Sequence, residues 1–307
     1  MRGKATFSGV DQRLEGGWTV YSISDPNALT QVVGWLKFTC EAGVVLYRGQ
    51  SQLYDDMTAT GFRSLTENSH ADYAEKLKDY ISSIYGQDCA CRHNKNFSSL
   101  HLCNEQSQFV KDNPNALVSG TYRAVVEPLL QHYGLKTRWL DVVDNIWIAL
   151  WFACHQQITE GRYAHHRRRS IAQEGPDAKA YIAVFETGSI DPTSVPGYRV
   201  GPSTRFVDLR YAVPSVYLRP HAQHGALIAP SRLDSGGVPF GSMKEQVVGV
   251  VEIKLGDALE WLGTGAMTSG HVLFPPATRD HGYRRLLDWN SPPHEKLGHV
   301  TQFGPGN

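Results

Sequence analysis

An excess of charge of either sign is missing from this chain: 30 basic and 30 acidic side chains leave no formal net charge over 307 residues. That balance excludes a whole-surface electrostatic grip on nucleic acid, while leaving room for a local basic groove. Long hydrophobic runs are missing as well. No stretch reaches the roughly 18 apolar residues that a membrane helix needs, and no apolar signal core follows Met1-Arg2-Gly3-Lys4, so a cytoplasmic protein with no membrane partner is expected. Cysteines number five. An odd count in a reducing compartment argues against a disulfide framework, and Cys40, Cys89, Cys91, Cys103 and Cys154 are expected as thiols or ligands. Neither a phosphate loop nor a Rossmann glycine fingerprint stands at a strand-to-helix junction, and no internal repeat appears.

What is present is an α/β order with 41% hydrophobic residues, enough to bury a substantial core. Ser24-Asp25-Pro26 supplies a cap and first-turn proline for a helix to about Cys40, and Gly43 to Tyr47 reads as a short strand ending at Arg48. Tyr73, Leu77, Ile81 and Ile84 mark an amphipathic helix from Asn68 to about Tyr85, ended by Gly86. A second helix, Thr121 to Tyr133, meets Gly134 in the same way. Asp144 is placed to cap the all-apolar segment Ile146 to Ala153, a helix expected to be surrounded by protein. Strands are expected at Tyr181 to Phe185, Ala226 to Ala229 and Gln246 to Leu255, with a closing helix at Arg279 to Trp289. The expected organisation is a leader at 1–17, one large domain at 18–290 and a loose tail at 291–307. Gly161 to Lys179 lacks apolar periodicity and reads as an insert or mobile loop. The prolines between Gly188 and Pro220 bar any long regular element there.

Polar density picks out the candidate chemistry. Tyr47-Arg48-Gly49-Gln50 ends an apolar strand, and Leu130-Gln131-His132-Tyr133-Gly134-Leu135-Lys136-Thr137-Arg138-Trp139-Leu140-Asp141 crowds ionisable groups around a glycine turn before the apolar helix. Together they read as one polar pocket. Arg167, Arg168 and Arg169 lie in the 161–179 stretch as candidate phosphate-backbone contacts, or as a solvated loop. Cys89, Cys91, His93, His101 and Cys103 offer zinc-compatible donors, but not in the paired C-x-x-C or H-x-x-x-H spacing of a knuckle, so no metal site is assigned.

The blocks Tyr47-Arg48-Gly49-Gln50, Gln131-His132-Tyr133-Gly134-Leu135 with Thr137, Arg138, Leu140 and Asp141, Ala149 to Ala153, and Gln223-His224-Gly225 resemble those of the FRG domain family. The resemblance spans about Trp18 to Trp289; a tyrosine replaces phenylalanine before Arg48-Gly49. It implies a bacterial toxin or phage-defence effector, with NAD as a consumed substrate and a DNA base, guanine in particular, as acceptor. An antitoxin or defence-system partner belongs to the same expectation.

The element order is also similar to that of arginine-type ADP-ribosyltransferases, which implies a split mixed β-sheet with packed helices. Arg48 then ends the first core strand, Thr137 to Ala153 supplies the second strand and helix, and Gln223 to Pro230 opens the later strand. One departure stands out, because Gly225 occupies the place of the final glutamate. Asp141 is the first candidate to supply the missing carboxylate. By this resemblance the catalytic set is Arg48, His132, Asp141 and Gln223, and the cofactor set is Tyr47, Arg48, Gly49, Gln50, Gln131, His132, Tyr133, Thr137 and Arg138.

Each role has a physical basis. Arginine's planar fork grips phosphate in a way lysine cannot, glycine admits close backbone approach, and a carboxylate stabilises the cation that develops as nicotinamide leaves. His132 can act as general base or phosphate donor; Gln131 and Gln223 can read an amide or a base edge; Tyr133 or Trp139 can stack on a ring. Structural alternatives stay open: an Arg138–Asp141 ion pair, His132 as a helix C-terminal cap, and glutamines satisfying loop backbone. Two other functions are weighed beside it, a nucleic-acid-binding module without catalysis that relies on Arg167, Arg168 and Arg169 of the 161–179 stretch, and a phosphodiester hydrolase using His132 and Asp141.

Overall fold

The computed structural model describes residues 6–63, 72–77, 79–80, 123–232, 241–288, 294 and 296–304. The chain opens with β1 (Val10–Glu15), β2 (Trp18–Ile23), α1 (Pro26–Phe38) and β3 (Val45–Gln50). After helical residues 72–77 come α2 (Arg123–His132), β4 (Leu140–Val143), α3 (Ile146–Ala153), β5 (His155–Glu160), β6 (Tyr163–Arg168), α4 (Ile171–Glu174) and β7 (Lys179–Glu186). Then follow β8 (Asp191–Pro192), β9 (Tyr198–Val200), β10 (Thr204–Asp208), α5 (Leu209–Ala212), α6 (Leu218–Ala222), β11 (Gly225–Pro230), β12 (Val247–Lys254), α7 (Leu255–Leu262), α8 (Gly270–Leu273), α9 (His281–Asp288) and β13 (Gln302–Phe303).

Ten strands form one mixed sheet in the order β1-β2-β12-β7-β3-β4-β11-β10-β9-β8, and β13-β6-β5 form a second. The mixed α/β class expected from the sequence is therefore present. At the centre of the large sheet β3 and β4 share a single register pair, Tyr47 opposite Val143, whereas β3 pairs with β7 along its whole length. Beyond that one pair no ladder joins β3 to β4.

Alternation along the strands assigns the faces. Tyr47 and Val143 belong to the core formed with α1 and α3, while Leu46, Leu140 and Val142 pack into the core on the opposite face. Gly49 faces α3 so closely that a Cβ there would overlap the Ala149 carbonyl. Helix α3 keeps Ile148, Ala149, Leu150, Trp151 and Ala153 buried, as its all-apolar sequence requires, although Trp147 stays 41% exposed. A third core gathers α2, helical residues Tyr73 and Leu77, and α9.

Several expectations are corrected. The cap of α3 is Asn145, whose side chain accepts from the amides of Trp147 and Ile148; Asp144 instead pairs with Arg210 and His224. Residues 10–15 of the expected leader form β1, and Arg13 makes a two-pronged pair with buried Glu252 of β12. The 161–179 stretch, expected as an insert or mobile loop, is no mobile loop: it holds β6, paired through its whole length with β5, and α4. Its polar, histidine-rich alternation conceals the strand because one face packs on aromatics: His166 stacks on Phe274 and Phe303. Part of the tail is docked as well, with Leu297 fully buried and β13 parallel to β6. Between 188 and 220 no element exceeds five residues, yet β10 is a full member of the large sheet, paired with β11 and β9. Of the helix expected from Asn68 to Tyr85, residues 72–77 and 79–80 are helical, and Ile81, Ile84 and Gly86 lie outside the described residues. No helix among the described residues is long and apolar enough to cross a membrane.

Candidate active site

Asp141 is the residue around which the two sequence blocks meet. It lies in β4 opposite Leu227 of β11, on the face covered by α2. Gln131 Nε2 donates to its Oδ2 at 2.8 Å, and His132 Nδ1 lies 3.5 Å from its Oδ1. The same glutamine's carbonyl accepts from the Thr137 amide at 3.0 Å and the Thr137 hydroxyl at 2.8 Å. Gln131 therefore ties the turn after α2 to the carboxylate, and Gly134, at φ 105°, makes that turn. Burial pushes the Asp141 carboxyl up. The His132 hydrogen bond and charge, Arg48 and Gln131 outweigh it and leave the group below the ordinary carboxylate range. Its side chain keeps 39% exposure, so an ionised oxygen stays accessible.

Arg48 approaches from the other side of the sheet. Along β3 it alternates with Tyr47 and Gly49, so its fork reaches the unpaired opening beside β4 and takes the Asp141 carbonyl, Nη1 to O at 2.5 Å, instead of the carboxylate. Arg48 Nε is buried without a hydrogen-bond partner among the described residues, as is Gln50 Oε1 on the same face. Burial lowers the Arg48 pKa; Asp141 opposes that shift, and the nearby charge of Arg63 adds to it. Arg63, which lies over the Tyr54 ring at 5.8 Å, thus places a second cation near Arg48. Neither Arg63 nor Tyr54 stood out in the sequence, since they sit singly in an irregular segment without a motif.

His132 is held rigidly. Its side chain is 5% exposed, and Nε2 is buried without a partner among the described residues. A Cβ built on Gly225 would lie 2.7 Å from His132 Cε1 and 2.9 Å from Nε2. The imidazole thus occupies the space that a side chain at 225 would need, which is the physical reason for glycine there. Gly225 pairs with Val143 while Asp141 pairs with Leu227, so Gly225 and Asp141 are diagonal neighbours on one face of adjacent strands.

Other residues singled out in the sequence lie elsewhere. Arg138 forks onto Glu127 of α2, with Nε to Oε1 at 2.9 Å, and makes no pair with Asp141. Tyr133 is fully buried, donates to Asp280 Oδ2 at 2.7 Å and stacks on Tyr283, so it is a core group and not a platform for a ligand. Trp139 is buried against Tyr198. Gly49 serves the approach of α3, and Tyr47 is 3% exposed in the core beneath it. Gln50 Nε2 faces Met57 Sδ at 3.5 Å. Gln223 is buried and donates to the Leu273 carbonyl at 2.7 Å, away from the Asp141 cluster. Arg169 is buried on Glu174 and the carbonyls of Ala153 and Lys179; only Arg167 and Arg168 of that triplet are exposed, on alternate faces of β6. The triplet is therefore no continuous basic patch. No group of His, Cys, Asp and Glu among the described residues can hold a metal, and Cys89 to Cys103 lie outside them.

Residues 43–162 match the sequence model of the FRG domain. The chain carries an FRG domain. The matched stretch runs from just before β3 to the β5–β6 turn and contains Arg48, Gln131, His132, Thr137 and Asp141, the five groups that converge. Gln223 to Gly225, expected inside the resemblance, falls beyond it. No curated protein and no solved structure matches the chain.

Proposed function

We propose that this FRG protein is an NAD-consuming ADP-ribosyltransferase that modifies a nucleic-acid base, with DNA guanine as the first acceptor to test, as a toxin or phage-defence effector. One observation carries the reading: a part-exposed carboxylate, Asp141, held below the ordinary carboxylate range, stands beside a buried arginine whose Nε has no partner among the described residues, at the opening between β3 and β4. Breaking the bond between ribose and nicotinamide builds positive charge at the ribose carbon, which a fixed carboxylate stabilises. Asp141 supplies that charge from the strand next to Gly225, the position at which arginine-type ADP-ribosyltransferases, similar in element order, carry their glutamate. Arg48 and Arg63 offer guanidinium donors to the pyrophosphate, and Tyr54 offers a ring face. His132 acts through Asp141: with Nε2 buried against Gly225 it has no nitrogen for an acceptor proton, so it is a positioning residue. That geometry disfavours the hydrolase reading, which needs His132 as a base.

The test is nicotinamide release from NAD with and without DNA, for wild type, Asp141→Asn and Arg48→Lys. The amide keeps the shape and loses the charge, so Asp141→Asn is expected to lower the rate at least about a hundredfold, as for loss of one electrostatic stabiliser. Circular dichroism should show an unchanged fold. Release at the wild-type rate from both variants would remove this reading.

A further inference from the structure

Away from the Asp141 cluster, the docked tail, α9 and the β5–β6 turn enclose a cavity of about 350 Å³. Among the described residues its polar lining carries Arg162, Arg284 and His299 with one acid, Asp288; Leu287 and Val300 give it an apolar side. The tail is fixed here, since the Gln302 amide donates to the Arg162 carbonyl at 2.8 Å and the Tyr283 hydroxyl donates to the Thr301 carbonyl at 2.7 Å. The walls are thus preformed parts of the fold. His299 Nε2 is buried without a partner among the described residues, and Arg284, exposed on α9, has no ion pair among them. Burial lowers the His299 pKa; a hydrogen bond to the Arg162 backbone, which leaves only Nε2 without a partner among the described residues, opposes that shift, and the charges of Arg162 and Lys136 add to it.

We propose that this cavity binds a phosphate monoester of mononucleotide size, its phosphate on Arg162, Arg284 and His299 and its ring system against Leu287 and Val300. Nitrogen-bearing groups from a turn, a helix and the tail line this one cavity, and guanidinium forks match the oxygens of a tetrahedral phosphate. The volume lies at the lower end of small-molecule sites and exceeds what inorganic phosphate alone would fill. The apolar side accounts for the remainder.

Titration calorimetry of the full chain with AMP, inorganic phosphate and a 5′-phosphorylated trinucleotide tests this. AMP is expected to bind saturably and more tightly than phosphate. Arg284→Ala, on an exposed helix face, should weaken AMP about tenfold or more, as loss of one charged hydrogen bond does, with an unchanged unfolding midpoint. Arg48→Lys should leave AMP binding intact, which separates this cavity from the proposed NAD site and lets either reading fail alone. Trinucleotide binding that also depends on Arg284 would assign the cavity to a strand end, and AMP binding alone to a free nucleotide. Absence of AMP binding, indifference to Arg284→Ala, loss with Arg48→Lys, or phosphate binding as tightly as AMP would each overturn the proposal.

Discussion

At the scale of single residues, Gly225 and His132 compete for one volume. A methyl group at 225 would press on a buried ring that cannot swing out without losing its Asp141 contact. Gly225→Ala is therefore expected to destabilise the protein by about 1–3 kcal/mol, the usual range for overpacking a well-filled site. In a double-mutant cycle with His132→Ala most of that loss should disappear, because the obstructing ring is gone. Additive effects of the two substitutions in urea denaturation would show that ring and glycine do not interact. Arg48, Gln131, His132 and Asp141 were legible in the sequence because polar and ionisable residues crowded beside apolar elements rarely lack a shared purpose. Their pairing was less legible. Arg138 is three residues from Asp141, yet alternation and the α2 helix deliver it to Glu127, and Arg48 reaches a carbonyl that no sequence pattern reveals. Tyr133 and Gln223 looked like ligand groups only because nothing local discloses their buried partners, Asp280 and the Leu273 carbonyl.

At the scale of elements, the helices and central strands were readable from periodicity, and their ends were read less well. Asp144 and Asn145 are both good cap residues, and the choice between them is tertiary: Arg210 and His224 recruit Asp144, which leaves Asn145 to bond the first amides of α3. Asn145→Ala is expected to lower stability by about 0.5–2 kcal/mol through loss of the cap. If thermal unfolding of Asn145→Ala matches wild type, the capping assignment is wrong. The polar hairpin β5–β6 and the tail escaped the sequence reading for a different reason. Their burial is supplied by distant partners, with His166 stacked on Phe274 and Phe303, and with Arg219 lying over the rings of Tyr133, Tyr283 and Phe303 while its Nη1 bonds the His132 carbonyl at 3.2 Å. Long-range aromatic contacts leave no periodic trace in the local sequence. α2 even carries Pro128 within its span, a residue that pattern reading counts against a helix.

At the scale of the whole molecule, two ionisable groups, half-buried His166 and buried Glu252, make stability depend on pH in the same direction. Burial pushes His166 down to about 3, chiefly by desolvation, so the unfolded chain binds a proton that the folded one refuses. Stability from this group is present above the unfolded value near 6.5 and is lost as pH falls below it towards about 3. Burial raises the Glu252 carboxyl, but Arg13, Lys179 and Ser22 overcome it and hold the group at about 2, so its contribution is lost at lower pH, between the unfolded carboxylate value and about 2. Between pH 7 and 5 the loss from His166 should be about 1–2 kcal/mol after allowance for its partial exposure. His166→Leu should flatten that slope in urea titrations, and an unchanged slope would place the titration elsewhere.

The sheet's opening at β3 and β4, with Asp141 held ionised inside the FRG domain, is the basis on which the chemistry is proposed. Its most direct test is mass spectrometry of a guanine-containing DNA strand after incubation with NAD and the protein. Addition of one ADP-ribosyl group by wild type and none by Asp141→Asn is the expected result; an unmodified strand, or equal modification by the Asp141→Asn variant, would contradict it.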